Sequence, residues 1–354
     1  MNDPSQGDLA ESFRRLIREN GPISLAQYMG ESNARYYNSR DPLGGDADFI
    51  TAPEVSQVFG ELIGLWFADI WMRAGRPEVV NYVELGPGRG TLSSDALRAA
   101  AQHGLQPKVH FVEGSETLRK IQKRALPHAV HHADVTSLPD DGPLLIIANE
   151  FFDALPIRQL LRVESGWRER MVGLAEGELA FVAGDKPMDV VVPQVRADAE
   201  VGTVLETSAA AAAVMSELAD RLVTQGGAAL IIDYGAMELQ AGSTLQAIRA
   251  HQKISVLAQP GEMDLTAHVD FGALRDVATR QGAHVLGLST QGEWLAALGA
   301  QMRFAALKRQ SPDKAEVLDR QSMRLTAPDQ MGELFKVLGV AGTGWPTDAA
   351  GFAP

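Results

Sequence analysis

Cysteine is absent from all 354 residues. That excludes disulfides, thiolate-bound metals and thiol nucleophiles together. Long apolar runs are absent as well. No stretch approaches the roughly 20 residues that cross a bilayer as a helix, so no membrane insertion is expected. Basic charge is in deficit, with 32 Lys and Arg against 45 Asp and Glu and a formal net charge of −13. Non-specific nucleic-acid binders present a basic surface, so this balance argues against nucleic acid as a partner. Met1–Ala10 has neither the basic-then-apolar pattern of a signal peptide nor the Arg-rich pattern of a transit peptide. A bacterial, cytoplasmic location is therefore the expectation. What is present is ordinary for a globular protein: 45% hydrophobic and 22% charged residues. The length suits one large domain or two moderate ones.

The apolar period divides the chain. Leu9–Asn20 places Leu9, Phe13, Leu16 and Ile17 at helical spacing and is stopped by Asn20-Gly21-Pro22. Ser24 caps a short second helix through Met29. Ser32–Asp48 has few apolar residues and reads as an ordered loop or lid. Thr51-Ala52-Pro53-Glu54 starts a long apolar helix over about Val55–Ala74. From Val79 strands alternate with helices. The strands are Val79–Leu85, Val109–Val112, Ala129–His131 and Leu144–Ala148. Helices over Leu92–Gln102 and Glu116–Leu126 separate the first three, and a loop or single turn precedes the fourth. This is an α/β pattern with a parallel sheet. Pro156–Val204 changes to short β-like segments with glycine turns, an antiparallel insertion. Ser208–Thr224 is helical, Ala228–Ile232 is a fifth strand, and Ala236–Thr266 reads as loop. A helix over Asp270–Gln281, a strand Val285–Leu288, helices over Glu293–Leu307 and Asp313–Leu325, and a last strand Leu334–Val340 follow. The expected organisation is an N-terminal helical or lid region (1–78), a core (79–155 and 205–341), the insertion (156–204) and a tail (342–354).

The first strand ends in Glu84-Leu85-Gly86-Pro87-Gly88-Arg89-Gly90-Thr91. Strand, glycine turn and helix start let backbone approach a nucleotide closely. The dinucleotide fingerprint is G-x-G-x-x-G, whereas Gly86, Gly88 and Gly90 give G-x-G-x-G. Glu84, two positions before the turn, repels a pyrophosphate and attracts a ligand carrying an ammonium and a sulfonium. S-adenosylmethionine is such a cofactor. Glu113 ends the second strand, where a carboxylate takes ribose hydroxyls. Asp134, with Val135 as an apolar neighbour, follows the third strand and is placed for the adenine. Open α/β sheets bind ligands at this carboxyl edge. An NAD enzyme is opposed by the spacing and by Glu84.

Several longer strings have a further meaning. They are Phe49-Ile50-Thr51-Ala52-Pro53-Glu54-Val55-Ser56-Gln57-Val58-Phe59-Gly60-Glu61 after Gly45-Asp46, Val83–Leu92, and Ala148-Asn149-Glu150-Phe151-Phe152-Asp153-Ala154-Leu155-Pro156. Ile232-Asp233-Tyr234-Gly235, Asp264–Phe271, Thr290-Gln291-Gly292 and Met331–Leu338 join them. On these the sequence resembles, over nearly its whole length, the MidA family of class I methyltransferases, which includes the mitochondrial complex I assembly factor 7. One departure is the extra Asp46-Ala47 before Asp48-Phe49. The resemblance implies a Rossmann-like class I methyltransferase sheet, mostly parallel, with seven strands and the last antiparallel. It also implies methylation of a protein arginine, on a respiratory complex I subunit in the mitochondrial relative. The expected partner is thus a protein substrate, and a homodimer is left open.

Arginine stays protonated at working pH, with a pKa above about 12. Carboxylates that hold the guanidinium orient one nitrogen and favour charge on the others. Glu150 and Asp153, three apart after the fourth strand, are the candidate catalytic acids, with capping as the structural alternative. Asn149 is a candidate for the methionine part of the cofactor. His268 is a candidate proton acceptor or substrate-orienting group, or else a loop anchor. Asp233 ends the fifth strand on the same edge, and substrate contact is expected. Tyr36 and Tyr37 form an aromatic cover or simply pack. Thr51 and Glu54 are candidates for closing the site from the N-terminal side. Arg119, Lys120, Lys123 and Arg124 read as a solvated helix face. Two other functions stay open: a small-molecule methyltransferase, in which lid and insertion enclose the substrate, and a non-catalytic assembly factor, against which the intact glycine turn and its acids argue.

Overall fold

The computed structural model describes residues 8–39, 51–249 and 252–352. Its centre is a sheet of seven long or medium strands. These are β1 (Asn81–Leu85), β2 (Lys108–Val112), β3 (Val130–His132), β4 (Leu144–Asn149), β5 (Gly227–Ala236), β6 (His284–Thr290) and β7 (Phe335–Ala341). The spatial order is β3-β2-β1-β4-β5-β7-β6. β1 to β5 pair in parallel, and β7 lies antiparallel between β5 and β6. A two-residue strand, Val269–Asp270, extends the sheet beside the end of β5. β4 is apolar and buried from Leu144 to Ala148 because both its faces are covered.

Side chains alternate across the pleat, so each strand feeds two cores. Tyr82, Leu145, Ile147, Leu230 and Val337 pack with Phe59, Ile63, Trp66 and Phe67 of the helix Gln57–Arg73. Val83, Ile146, Ile231 and Leu338 pack with Met215, Leu218 and Leu222 of the helix Ala209–Gln225 and with Leu274 of Phe271–Arg280. The first core is tight. A Cβ on Gly64 would lie 2.0 Å from the carbonyl oxygen of Ala96.

The N-terminal helix α1 (Leu9–Asn20) rests on the insertion, and α2 (Leu25–Ser39) on the insertion, the strand Asp264–Thr266 and the helix Glu116–Ala125, rather than on the central sheet. Phe13, Ile17, Ile23 and Tyr28 form one core with Ile157 and Val172. The link is also a ladder, because Ile23–Ser24 pairs antiparallel with Gly166–Ala175. That strand sits between Arg158–Val163 and Glu178–Pro187 in the insertion's antiparallel sheet.

Three expectations change. Helix α2 runs to Ser39, not to Met29. Its polar second half is held by tertiary bonds that no local pattern displays: Asn33 Nδ2 donates to the carbonyls of Ala154 and Leu265 at 3.0 and 2.8 Å. The remainder of the expected lid, Arg40–Asp48, lies outside the described residues, as do Gly45-Asp46 and Phe49-Ile50 of the family strings. The expected loop Ala236–Thr266 contains a three-stranded antiparallel sheet: Gln246–Arg249, Gln252–Ile254 and Asp264–Thr266. Strands this short hold too few positions for a period of two to show. The helix expected over Glu293–Leu307 is broken at Gly299, whose φ of 84° admits a left-handed residue between Gln291–Ala297 and Ala300–Gln310. Among the described residues no helix is long and apolar enough to cross a membrane.

Candidate active site

The strand order reverses between β1 and β4, and ligands of open α/β sheets bind at such a switch point. A cavity of about 450 Å³ opens there. Its walls bring together Glu84, Gly86, Gly88, Glu113, Asp134, Val135, Asn149, Glu150 and Asp153 from the sheet edge. Tyr36, Tyr37, Thr51 and Glu54 close it from the N-terminal side. Three expected residues, Gly90, Asp233 and His268, do not line it.

The glycine turn is built by backbone geometry. Gly86, Gly88 and Gly90 have φ of 62°, 52° and 83°, a region that L-residues rarely occupy. The Gly90 N–H donates to the Pro87 carbonyl at 2.7 Å, which closes the turn. A Cβ on Gly86 would stand 3.1 Å from the Phe151 ring. Gly90 thus shapes the turn without facing the cavity. Beneath it, Glu84 is 3% exposed. The Ser93 hydroxyl donates to its carboxylate, and the Tyr82 hydroxyl reaches the same oxygen at 3.5 Å. Burial still pushes the carboxyl up to about 7.

Glu113 accepts the Ser115 N–H at 2.8 Å and Gln122 Nε2 at 3.0 Å, and burial raises its pKa. Gln122, fully buried, also donates to the Gly88 carbonyl at 2.9 Å. One side chain therefore ties the glycine turn to the second acid, a role the sequence reading missed. Arg119 is likewise not a solvated residue: its Nε donates to the Glu113 carbonyl at 2.7 Å. Lys120, Lys123 and Arg124 are exposed. Asp134 caps the turn Val135–Ser137, accepting from the Thr136 N–H at 2.9 Å and its hydroxyl at 2.6 Å. These bonds hold its carboxyl below the usual range. Asn149 donates through Nδ2 to Glu150 at 3.2 Å, while its buried Oδ1 has no hydrogen-bond partner among the described residues. A buried acceptor without a donor is costly. An acidic cavity with such an acceptor and an open glycine turn fits a cationic nucleoside cofactor.

Beyond Asn149 the chain turns sharply. Glu150 has φ of 51°, outside the usual range for a side-chain-bearing residue. Its Oε1 accepts the Ala52 N–H at 3.1 Å. Burial, with the neighbouring Asp153 charge added, pushes its carboxyl up to about 7. Asp153 is hydrogen-bonded to the Tyr234 hydroxyl and pushed up to about 6 by burial. Asp233 lies under this turn, not in the cavity. Its Oδ2 accepts the N–H groups of Phe151, Phe152 and Asp153 at 3.1, 3.0 and 3.2 Å, and its Oδ1 that of Tyr234 at 2.9 Å. The expected substrate contact is corrected to a backbone clamp, since all its bonds point at main chain. Burial raises its carboxyl strongly, opposed by those N–H groups.

His268 is also corrected. Its ring sits edge-on to Tyr234 at 5.6 Å, and its backbone N–H donates to Thr244 Oγ1 at 2.8 Å. Tyr234 faces the cavity and His268 does not, so the loop-anchor reading fits its surroundings. Tyr36 is buried edge-on to Tyr37 at 5.2 Å. The Thr51 side chain makes no cap bond, whereas Glu54 accepts the Thr91 hydroxyl at 2.5 Å, joining the N-terminal side to the glycine turn. Tyr234, Asp264 and Thr266 also line the cavity. Their strings carried the family resemblance, but no local pattern marked them as facing a site.

Comparison with known proteins follows this geometry. The family model described as "Putative S-adenosyl-L-methionine-dependent methyltransferase" matches residues 62–289. The protein arginine methyltransferase NDUFAF7, mitochondrial, of Xenopus laevis is 36% identical over 363 residues, covering 92% of this chain and 82% of the relative. Its Homo sapiens counterpart is 34% identical over 378 residues, covering 94% and 84%. Among solved structures, a Burkholderia thailandensis protein bound to S-adenosyl-homocysteine superimposes with a TM-score of 0.82 at 26% identity, covering 98% of this chain and 94% of that one. These relatives overturn one expectation. The bacterial cytoplasmic location read from Met1–Ala10 is not supported, because the curated relatives are mitochondrial proteins of eukaryotes. A few N-terminal residues without an address pattern carry little information about location.

Proposed function

The chain belongs to the family of S-adenosylmethionine-dependent methyltransferases, and from that premise we propose that it methylates an arginine side chain of a protein. The observation that carries the substrate reading is the acid pair of half-buried Glu150 and buried Asp153, both lining the cavity beside Asn149. The names of the relatives, protein arginine methyltransferases, support the same choice. The resemblance to assembly factors of respiratory complex I makes a core subunit of that complex the first substrate to test.

In this reading Gly86, Gly88 and Gly90 allow close backbone approach to the cofactor, and Glu84 with the Asn149 Oδ1 receives its ammonium end. Glu113 takes the ribose hydroxyls, and Asp134 with Val135 takes the adenine. The cofactor supplies, when bound, a methyl group on a positively charged sulfur. Glu150 and Asp153 accept N–H groups of the guanidinium and orient one nitrogen toward that methyl. A carboxylate whose free acid titrates near neutrality is suited to receive the proton that the methylated guanidinium sheds. The Ala52 N–H and the Asp233 clamp hold these two acids in place.

Labelled methyl transfer into a lysate from cells lacking the protein, followed by mass spectrometry, tests the assignment. Methylarginine in protein is the expected product, and label confined to small molecules would overturn it.

Two further outcomes are expected. Gly88→Val places a β-branched residue at a φ of 52° beside the proposed ligand path, which such residues avoid. Saturating cofactor should raise the melting temperature of the wild type by about 5 °C at roughly 100 times Kd. The variant should show no shift, and an unchanged cofactor affinity would sink the site assignment.

The second outcome is pH dependence. Glu150 and Asp153 are pushed up to about 7 and about 6. They must be ionised to hold a guanidinium, so kcat/KM should rise as pH increases through 6–7 and then level off. Stability without ligands should run the other way. A carboxyl with a raised folded pKa stabilises the fold below its unfolded pKa, near 4, and that contribution is lost as pH rises through the folded value. Glu84, also about 7, acts in the same window. Thermal unfolding at pH 5.5 and 8 reads this, and saturating cofactor should diminish the difference.

A further inference from the structure

Asp264 sits on the strand Asp264–Thr266, outside the central sheet, yet lines the same cavity as Glu150 and Asp153. Two sets of bonds fix that neighbourhood. The Ala267 N–H donates to the Asp153 carbonyl at 3.0 Å. Asn33 of α2 bridges the carbonyls of Ala154 and Leu265 through Nδ2, and its Oδ1 accepts the Leu265 N–H at 3.0 Å. Tyr37, one helical turn on, donates its hydroxyl to Asp264 Oδ2 at 2.9 Å. That phenol feels the charges of both Asp264 and Asp153, so both acids lie near it. Burial keeps it protonated, and thus a donor, at any working pH.

We propose that Asp264, oriented by Tyr37, is a third substrate-contacting carboxylate and sets the preference of the site for a guanidinium over an ammonium. This rests on the arginine reading above. Glu150 and Asp153 come from one turn and face the substrate from one side. Asp264 comes from a different sheet and accepts the Tyr37 hydroxyl. A guanidinium is a planar fork with five N–H donors, able to engage carboxylates along two edges at once. A lysine ammonium is a compact point charge with three donors and cannot bridge two such stations. A carboxylate offers about four acceptor positions, and the bond from Tyr37 orients Asp264 through one of them. The backbone carbonyl of Tyr37 accepts the Ser115 hydroxyl at 2.7 Å, and the Ser115 N–H donates to Glu113. The residue that orients the substrate acid is thereby tied to the acid assigned to the ribose.

The test uses the full-length protein, S-adenosylmethionine with a labelled methyl, and native lysate from cells lacking the protein as the substrate pool. Asp264→Asn should lower the initial rate of arginine labelling about 10- to 100-fold, the worth of one charge-assisted hydrogen bond. The ratio of methylarginine to methyllysine should fall with it, and Asp264→Glu should recover part of both. Tyr37→Phe should move both readouts in the same direction by a smaller factor. The cofactor-induced melting shift should match the wild type in each variant, which separates substrate contact from misfolding. Arginine labelling by Asp264→Asn within about threefold of wild type, at an unchanged ratio, would overturn the proposal and leave the arginine reading intact. Absence of methylarginine with the wild-type protein would overturn both.

Discussion

Glu150→Gln is expected to lower kcat for methyl transfer about 10²- to 10⁴-fold, the range for loss of a positioned acid–base group. Cofactor affinity should change little, and the unliganded protein should become more stable at pH 8. These opposite effects come from one environment. Glu150 Oε1 accepts the Ala52 N–H at 3.1 Å and Asn149 Nδ2 at 3.2 Å. A glutamine oxygen can take both bonds, so the turn persists. What disappears is the charge. At pH 8 the carboxyl, titrating at about 7, is ionised in a desolvated place near Asp153, and the Arg324 charge offsets that cost only in part. A neutral amide relieves that repulsion, and functional sites commonly hold such stability in reserve. Single-turnover kinetics, cofactor titration and thermal unfolding on one preparation would decide it. Wild-type kcat in the variant would remove Glu150 from the chemistry.

Asp233→Ala should destabilise the protein by about 3–5 kcal/mol, because an unsatisfied buried donor costs roughly 1–3 kcal/mol and several are left. It should also lower kcat about 100-fold, because displacing reacting groups by roughly 1 Å has that effect. Asp233 is 0% exposed and receives four backbone N–H groups, three of them from the turn that carries Glu150 and Asp153. Alanine leaves those donors buried and unsatisfied. Asp233→Asn retains an acceptor oxygen and should fall between the two. The cofactor-binding half, built on Gly86–Gly90 and Glu113, does not contact Asp233, so cofactor affinity should drop less than kcat. A variant that loses stability while retaining wild-type kcat below its melting temperature would make Asp233 purely structural. Full stability would contradict the clamp itself.

The sheet, the glycine turn and the acids near the strand ends were legible in the linear chain. Those features are local. β4 is a run of buried apolar residues, and the turn needs three glycines at alternate positions. Glu84, Glu113 and Glu150 follow strand ends, where chain direction alone puts them on one edge. The resemblance of long strings added that the last strand runs antiparallel, and its place between β5 and β6 came from the tertiary structure.

What each polar residue near that edge faces depends on how distant parts of the chain pack together. Asp233 lies near the end of β5 and Glu150 just past β4, yet one points under the turn and the other into the cavity. His268 and Asp264 lie four residues apart, and Tyr234 stands between His268 and the cavity while Asp264 reaches it. The second half of α2 is helical because Asn33 bonds to two distant carbonyls, and Gln122 matters because it meets Gly88 and Glu113 at once. Burial also set the acidities, lifting Glu84 and Glu150 to about 7 where their side chains alone titrate near 4.5. Hydrogen-bond partners and desolvation are properties of groups far apart in the chain, and local periodicity carries no record of them.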